Sequence, residues 1–370
     1  MKIPPWPVSG DRELELLREV LASPQWGGFH EMVGRLEREF AAYQDARYGV
    51  GAANGTLSLE MGLEALGIGP GDEVIVPAIS FISTATAVSR VGATPVFADI
   101  EPLTYNIDPV RAALAVTSRT KAIMAVHFGG PMAQMDRLRE LSDAFHIHLI
   151  EDAAHAHGTE WSGQRAGSFG AFGSFSFQNG KVMTAGEGGM AVTNDEALAE
   201  RMRAIANQGR RTDGASFFHH YSLGTNYRLS GLHAAVLLAQ LERLPAQIEL
   251  RARNAKILLS ALADCEALEF QRAYPENNAH SNYLLVGRVT AGSRDEFVKR
   301  LQKSGVPATP YYPHTLYQNP VYQRPDSCVI HDCPVAEWTI GNSFWLPHRT
   351  LMGDEETTLA VAQAMRKAAE

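Results

Sequence analysis

Cysteine is scarce in this chain, with only Cys265, Cys328 and Cys333 among 370 residues. An odd number at wide spacing argues against a disulfide framework, and a reducing cytoplasm is the expected setting. Long apolar runs are also missing, and no uninterrupted stretch approaches the length that spans a bilayer. Met1 to Gly10 hold one lysine and three prolines but not the apolar segment of a signal peptide. No run of basic residues occurs, and 33 Lys and Arg against 41 Asp and Glu give a net charge of -8. That balance lacks the electrostatic footprint of a nucleic-acid binder. There is no internal repeat and no low-complexity tract. What remains has the hydrophobic and charged content of an ordinary globular chain, long enough for a large core and a smaller second unit.

The pattern begins with helices. Leu14, Leu17 and Leu21 recur at helical spacing across Asp11–Ala22, and Val33, Leu36 and Phe40 do so between His30 and Tyr43. From Val50 to about Asp195, short apolar strands then alternate with helices. Strands are expected at Val74–Val76, Pro95–Ala98, Lys121–Val126 and His148–Glu151, with a helix over Phe81–Val91. Such alternation predicts an α/β fold with a mostly parallel sheet covered on both faces. Ligands bind beyond the carboxyl ends of such strands, where Asp152 lies. Leu232 to about Ser260 reads as long helices leading out of this unit. Strand Asn282–Val289, helix Arg294–Gln302, an extended piece over Pro307–Tyr311 and a closing helix over Met352–Lys367 predict a smaller C-terminal α+β domain. The expected division is 1–245 and 246–370.

Three stretches carry chemistry. In Phe175 to Gly189, Lys181 sits in a polar, glycine-rich segment after an apolar piece. A lysine used as an amine nucleophile must be held beside its electrophile. The phosphate-binding loop of nucleotide enzymes does not fit, because its first glycine and the Ser/Thr after the lysine are missing. A solvated loop lysine is the plain alternative. In the second stretch, Asp152 ends a strand and precedes Ala153-Ala154-His155-Ala156-His157-Gly158. An acid there can pair with a protonated ring nitrogen and make the ring a better electron sink. His155 and His157 could instead begin a metal site, although no third ligand stands nearby. In the third, Ala53-Asn54-Gly55-Thr56 opens a helix, whose first amides and the Thr56 hydroxyl can cradle a phosphate or can simply cap the helix. Phe81, after a strand, could cover a flat ring or belong to the core. Trp26, Tyr311, Tyr312, His314 and Tyr317 are aromatic and polar candidates for a substrate pocket, with surface or packing roles as the alternative.

Together these segments resemble the DegT/DnrJ/EryC1/StrS family of pyridoxal-phosphate aminotransferases over nearly the whole chain. Further anchors are Gly69 to Pro77, Val126-His127-Phe128-Gly129-Gly130 and Gly224-Thr225-Asn226-Tyr227-Arg228-Leu229. Ser176 to Lys181, Asp152 to Gly158 and Trp345-Leu346-Pro347-His348-Arg349 look nearest to two branches, the 3-amino-5-hydroxybenzoate synthases and the glutamine-dependent inosose aminotransferases. The resemblance implies fold type I and a homodimer with shared active sites. It implies Lys181 as the Schiff-base lysine and Asp152 as partner of the pyridine nitrogen. Gly55, Thr56 and Ser176 would hold the phosphate, completed by Asn226 of the partner subunit, and Phe81 would stack on the ring. Many relatives carry glutamine at the position of His155, near the phenolic oxygen, where a histidine can also donate a hydrogen bond. The implied reaction moves an amino group from glutamine or glutamate to a cyclic ketone, a keto-cyclitol or keto-sugar. Aromatising dehydration remains open, as does a non-catalytic role on the same fold. The sugar-dehydratase branch replaces the lysine with histidine, and this chain keeps Lys181.

Overall fold

A computed structural model describes residues 2–210, 216 and 218–370. Its large sheet takes the strands of the first two hundred residues: β1 Tyr48–Ala52, β2 Glu73–Pro77, β3 Thr94–Ala98, β4 Thr120–Val126 and β5 His148–Asp152. After a short hairpin of β6 Glu160–Trp161 and β7 Gln164–Arg165 come β8 Phe172–Ser176 and β9 Gly189–Thr193. The remaining strands are β10 Leu268–Phe270, β11 Leu284–Val289, β12 Thr309–Pro310, β13 Val329–Ile330 and β14 Ser343–Pro347.

The eight-stranded sheet runs β1-β9-β8-β5-β4-β2-β3-β13. From β8 to β13 every pairing is parallel, and only β9 meets its neighbours antiparallel. β2 and β3 are apolar along almost their whole length because both faces are covered. Ile75, Val96 and Ile123 belong to one core cluster, and Val74, Val76 and Phe97 to the cluster on the opposite face. The smaller sheet, β10-β11-β14-β12, packs Leu285, Val289, Phe344 and Leu346 against Leu301, Val361 and Met365 of helices Arg294–Lys303 and Glu355–Ala369.

Four local differences from expectation have physical causes. Helix Asp11–Ala22 buries Glu13, Leu16 and Val20, leaving Leu14 and Leu21 about half exposed. An acid lies on its inner face because Gln240 and Arg243 bond the Glu13 carboxylate at 2.7 and 2.8 Å. Leu232–Ser260 forms one helix, Gly231–Ala261, despite Pro245 inside it. The bond lost at the proline is outweighed by burial of Leu237, Leu238, Leu241, Leu244 and Ile248. This helix crosses the expected 245/246 division. β13, beyond that division, adds to the edge of the large sheet beside β3. β11 starts only at Leu284, because Asn282 is left-handed at φ 50° and breaks the strand before it.

Candidate active site

Beyond the carboxyl ends of β4, β5 and β8 lies a cavity of about 560 Å³. Gly55, Thr56, Phe81, Asp152, His155, Ser176, Lys181 and Tyr312 all line it, drawn from segments up to 257 residues apart in sequence. Its floor is the start of helix Gly55–Ala65. Asn54 caps that helix by accepting from the Leu57 amide at 3.0 Å, while Gly55 and Thr56 lie at the turn whose amides have no intrahelical acceptor. The Thr56 and Ser83 hydroxyls are 2.7 Å apart, and Ser176 stands opposite. A Cβ on Gly55 would lie 2.7 Å from that of Ser176, so only glycine lets the helix start approach β8 this closely.

Asp152 closes β5 with its carboxylate aimed at the cavity. Thr84 donates to one oxygen at 2.7 Å, and the Ala154 amide donates to the other at 3.3 Å. Thr84 has one proton and spends it on Asp152, so Ser80 must donate to Thr84 across 2.6 Å. The preceding residue in sequence fixes the strand end from behind. Buried Glu151 accepts from the amides of Gly167, Phe169 and Gly170 at 2.7–3.0 Å and from His127 Nε2 at 3.0 Å.

His155 receives the Gly129 amide on Nδ1 at 3.2 Å. The ring proton therefore sits on Nε2. Burial, with Lys181 and two further histidines nearby, holds its pKa well below the usual value. The result is a neutral ring with one N–H donor. Tyr283 faces it, with centroids 4.3 Å apart, and Lys181 Nζ lies 4.7 Å from the Tyr283 centroid. His157 turns away into Phe40, Phe175 and Phe177, where burial lowers its pKa to about 3. The two histidines do not share a surrounding, and among the described residues no cluster of three or more His, Cys, Asp or Glu is placed to hold a metal.

The remaining candidates divide. Tyr312 lines the cavity, and burial keeps its phenol protonated. Tyr311 is buried behind it against Tyr105, Phe128 and Trp345. Tyr317 is buried as well and donates to Glu337 at 2.9 Å. His314 is exposed, and Trp26 is half exposed with its Nε1 on the Ser23 carbonyl. None of these four lines the cavity, nor does Asn226, which bridges Asn207. Ser80, Ser83, Gln178, Glu187 and Tyr283 do line it. Ser83 could have been found from its place two residues after Phe81. Tyr283 left no local sign, because the cavity residues it faces, His155 and Lys181, lie more than a hundred residues earlier.

An amine, an acid at a strand end and a hydroxyl-rich helix start around one cavity are a constellation shared by a known group of enzymes. The DegT/DnrJ/EryC1/StrS aminotransferase family matches residues 7–366. The chain belongs to this family. It is a pyridoxal-phosphate-dependent aminotransferase of fold type I. Among curated family members, 3-amino-5-hydroxybenzoate synthase of Amycolatopsis mediterranei is 38% identical, with 99% of this chain and 97% of that protein covered. L-glutamine:2-deoxy-scyllo-inosose aminotransferase of Streptomyces kanamyceticus is 36% identical, with 98% and 93% covered. The crystal structure of 3-amino-5-hydroxybenzoic acid synthase matches with a TM-score of 0.94 at 36% identity, covering 99% of this chain and 98% of that one. The family's cofactor fits the residues present: helix-start amides and hydroxyls for a phosphate, a carboxylate for a ring nitrogen and an amine for an aldehyde.

Proposed function

We propose that the chain transfers an amino group from glutamine or glutamate to a cyclic ketone, a keto-cyclitol or keto-sugar, in the making of an amino-sugar or aminocyclitol. The observation that carries this is the convergence of Lys181, Asp152, His155 and the Gly55-Thr56 helix start on one cavity. Relatives that the chain matches over nearly its whole length include a scyllo-inosose aminotransferase. When bound, pyridoxal phosphate supplies an electrophilic aldehyde and a ring that withdraws electrons from the substrate carbon. Gly55, Thr56, Ser83 and Ser176 would hold its phosphate, Asp152 would keep a proton on its ring nitrogen, and the Nε2–H of His155 would donate to its phenolic oxygen. Phe81 would cover the ring. Lys181 would hold the aldehyde covalently and, once released, carry the proton on Nζ between the two reacting carbons. Tyr312 presents a phenol to the acceptor's hydroxyls.

The second subunit of a homodimer would complete the phosphate site with Asn226 of the partner subunit. Leu223, three residues before Asn226, is almost fully exposed in the single chain. No helix among the described residues is long and apolar enough to cross a membrane, and the three free cysteines suit a cytoplasmic setting.

A half-reaction tests this reading. The loaded protein is given glutamine, glutamate or alanine singly, and conversion of the cofactor to its amine form is followed by absorbance. Conversion followed by turnover of an inosose or keto-sugar supports it. The resemblance to 3-amino-5-hydroxybenzoate synthase favours aromatising dehydration as the second reading. A loaded protein that converts with no donor but dehydrates an aminated cyclic substrate would establish that instead.

A further inference from the structure

The loop bearing Lys181 is tied down by two side chains that do not line the cavity. Trp6, in the arm before the first helix, donates from Nε1 to the Asn179 carbonyl at 3.1 Å. His348, directly after β14, donates from Nε2 to the Gly180 carbonyl at 3.2 Å. The two rings meet edge to face with centroids 4.4 Å apart. The two carbonyls immediately before Lys181 are thus held by opposite ends of the chain. The arm has its own anchor, since the Val8 carbonyl accepts from Gln240 and Arg243 at 2.8 and 3.0 Å.

His348 also supports the surface against which the lysine rests. Its main-chain amide donates to the Tyr283 carbonyl at 2.9 Å. Its ring stacks on Tyr283, 6.0 Å between centroids and 25° between planes. On Tyr283 lies Lys181 Nζ. β11 begins at the residue after Tyr283, and β14 pairs with it up to Leu284 and Pro347, so one small sheet carries both Tyr283 and His348. Burial, aided by nearby Arg251, lowers the His348 pKa to about 3. The ring stays neutral and keeps its proton on Nε2 for Gly180. A lysine on an irregular glycine-rich loop has no ladder to fix it, and reacting groups lose rate steeply when displaced.

We propose that His348 is a positioning residue for Lys181, acting from the small domain through the Gly180 carbonyl and Tyr283, with Trp6 bracing it from the N-terminal arm. This rests on the reading of Lys181 as the residue that holds the cofactor. It gives Trp345-Leu346-Pro347-His348-Arg349 a physical role, because through this segment the small sheet sets where the reactive amine stands.

The test strips the full chain of cofactor, adds pyridoxal phosphate, and times growth of the visible band of lysine-bound cofactor and its loss on dilution. Wild type is compared with Lys181→Ala, His348→Leu, His348→Gln and Trp6→Ala, with thermal midpoints taken alongside. His348→Leu should slow capture and speed release by about 10- to 100-fold. Its donor half-reaction should lose kcat at unchanged donor KM, because His348 does not line the cavity. His348→Gln still offers an N–H toward Gly180 and should recover most of the loss. Trp6→Ala should move in the same direction by less. Capture at the wild-type rate in His348→Leu, or an equal fall in His348→Gln, overturns the proposal. Should His348→Leu not fold, wild-type behaviour of Trp6→Ala overturns it. A band that survives in Lys181→Ala overturns the reading of Lys181 and this proposal with it. A band lost there but indifferent to His348 and Trp6 overturns this proposal alone.

Discussion

At the scale of single residues, the site depends on a few proton positions. In the proposed role Asp152 would serve a ring nitrogen only as a carboxylate, and Thr84 with Ala154 keeps its two oxygens bonded as acceptors. Asp152→Asn should bind cofactor yet lower the half-reaction rate by about 10²–10³-fold, a loss of the size seen when a preorganised charge partner is removed; stopped-flow absorbance with saturating donor reads it. Thr84→Val removes the proton that Asp152 receives and should cost about 1.5–3 kcal/mol of cofactor binding, the worth of a hydrogen bond to a charged group. Equilibrium titration of the stripped protein measures that, and an unchanged affinity would refute the role of Thr84. That Lys181, Asp152 and Thr56 line one cavity was legible in sequence because they stand beside glycines and strand ends. Tyr283 was not, since an aromatic residue before an apolar run looks like core until the fold brings His155 to within 4.3 Å of it.

At the scale of elements, caps and buried acceptors fix where the chemistry stands. Asn54 caps the helix beneath the expected phosphate site. Asn54→Ala should cost about 1 kcal/mol of stability and also weaken cofactor binding, an outcome that denaturant melts of the stripped and loaded forms separate. Glu151 gathers three loop amides and His127 behind Asp152. Glu151→Gln would point an N–H at a donor and should lose about 3–5 kcal/mol, as other broken buried pairs do; a urea midpoint within error of wild type would contradict it. Strands β2 to β5 and the helices Arg294–Lys303 and Glu355–Ala369 could be read from periodicity, whereas the parallel strands β8 and β13 could not. The inner face of the first helix could not. Leu14 and Leu21 make a valid apolar stripe, yet Glu13 turns inward because Gln240 and Arg243 of a distant helix await its carboxylate.

At the scale of the whole molecule, burial of neutral histidines ties stability to pH. His157 and His348 are each brought to about 3 by burial, whereas an unfolded histidine titrates near about 6.5. Below that value the unfolded chain takes up protons that the folded one refuses. Stability therefore falls as pH drops from about 6.5 toward 3, by up to about 1.4 kcal/mol per pH unit for each histidine. Urea midpoints at pH 7, 6 and 5 should decline, and His157→Leu should decline less steeply; equal slopes would rule His157 out. The sequence by itself determined the α/β class and the family, and it singled out Lys181 and Asp152 as candidates that the fold brings to one cavity. These follow from strand periodicity and from residue types needed within a few positions of one another. Only the tertiary structure decided which aromatics reach the cavity, why Tyr312 lines it while Tyr311 backs it, and that Trp6 and His348 grip the lysine loop. Those contacts join segments far apart in sequence, and their geometry is set by how two sheets and one long helix pack.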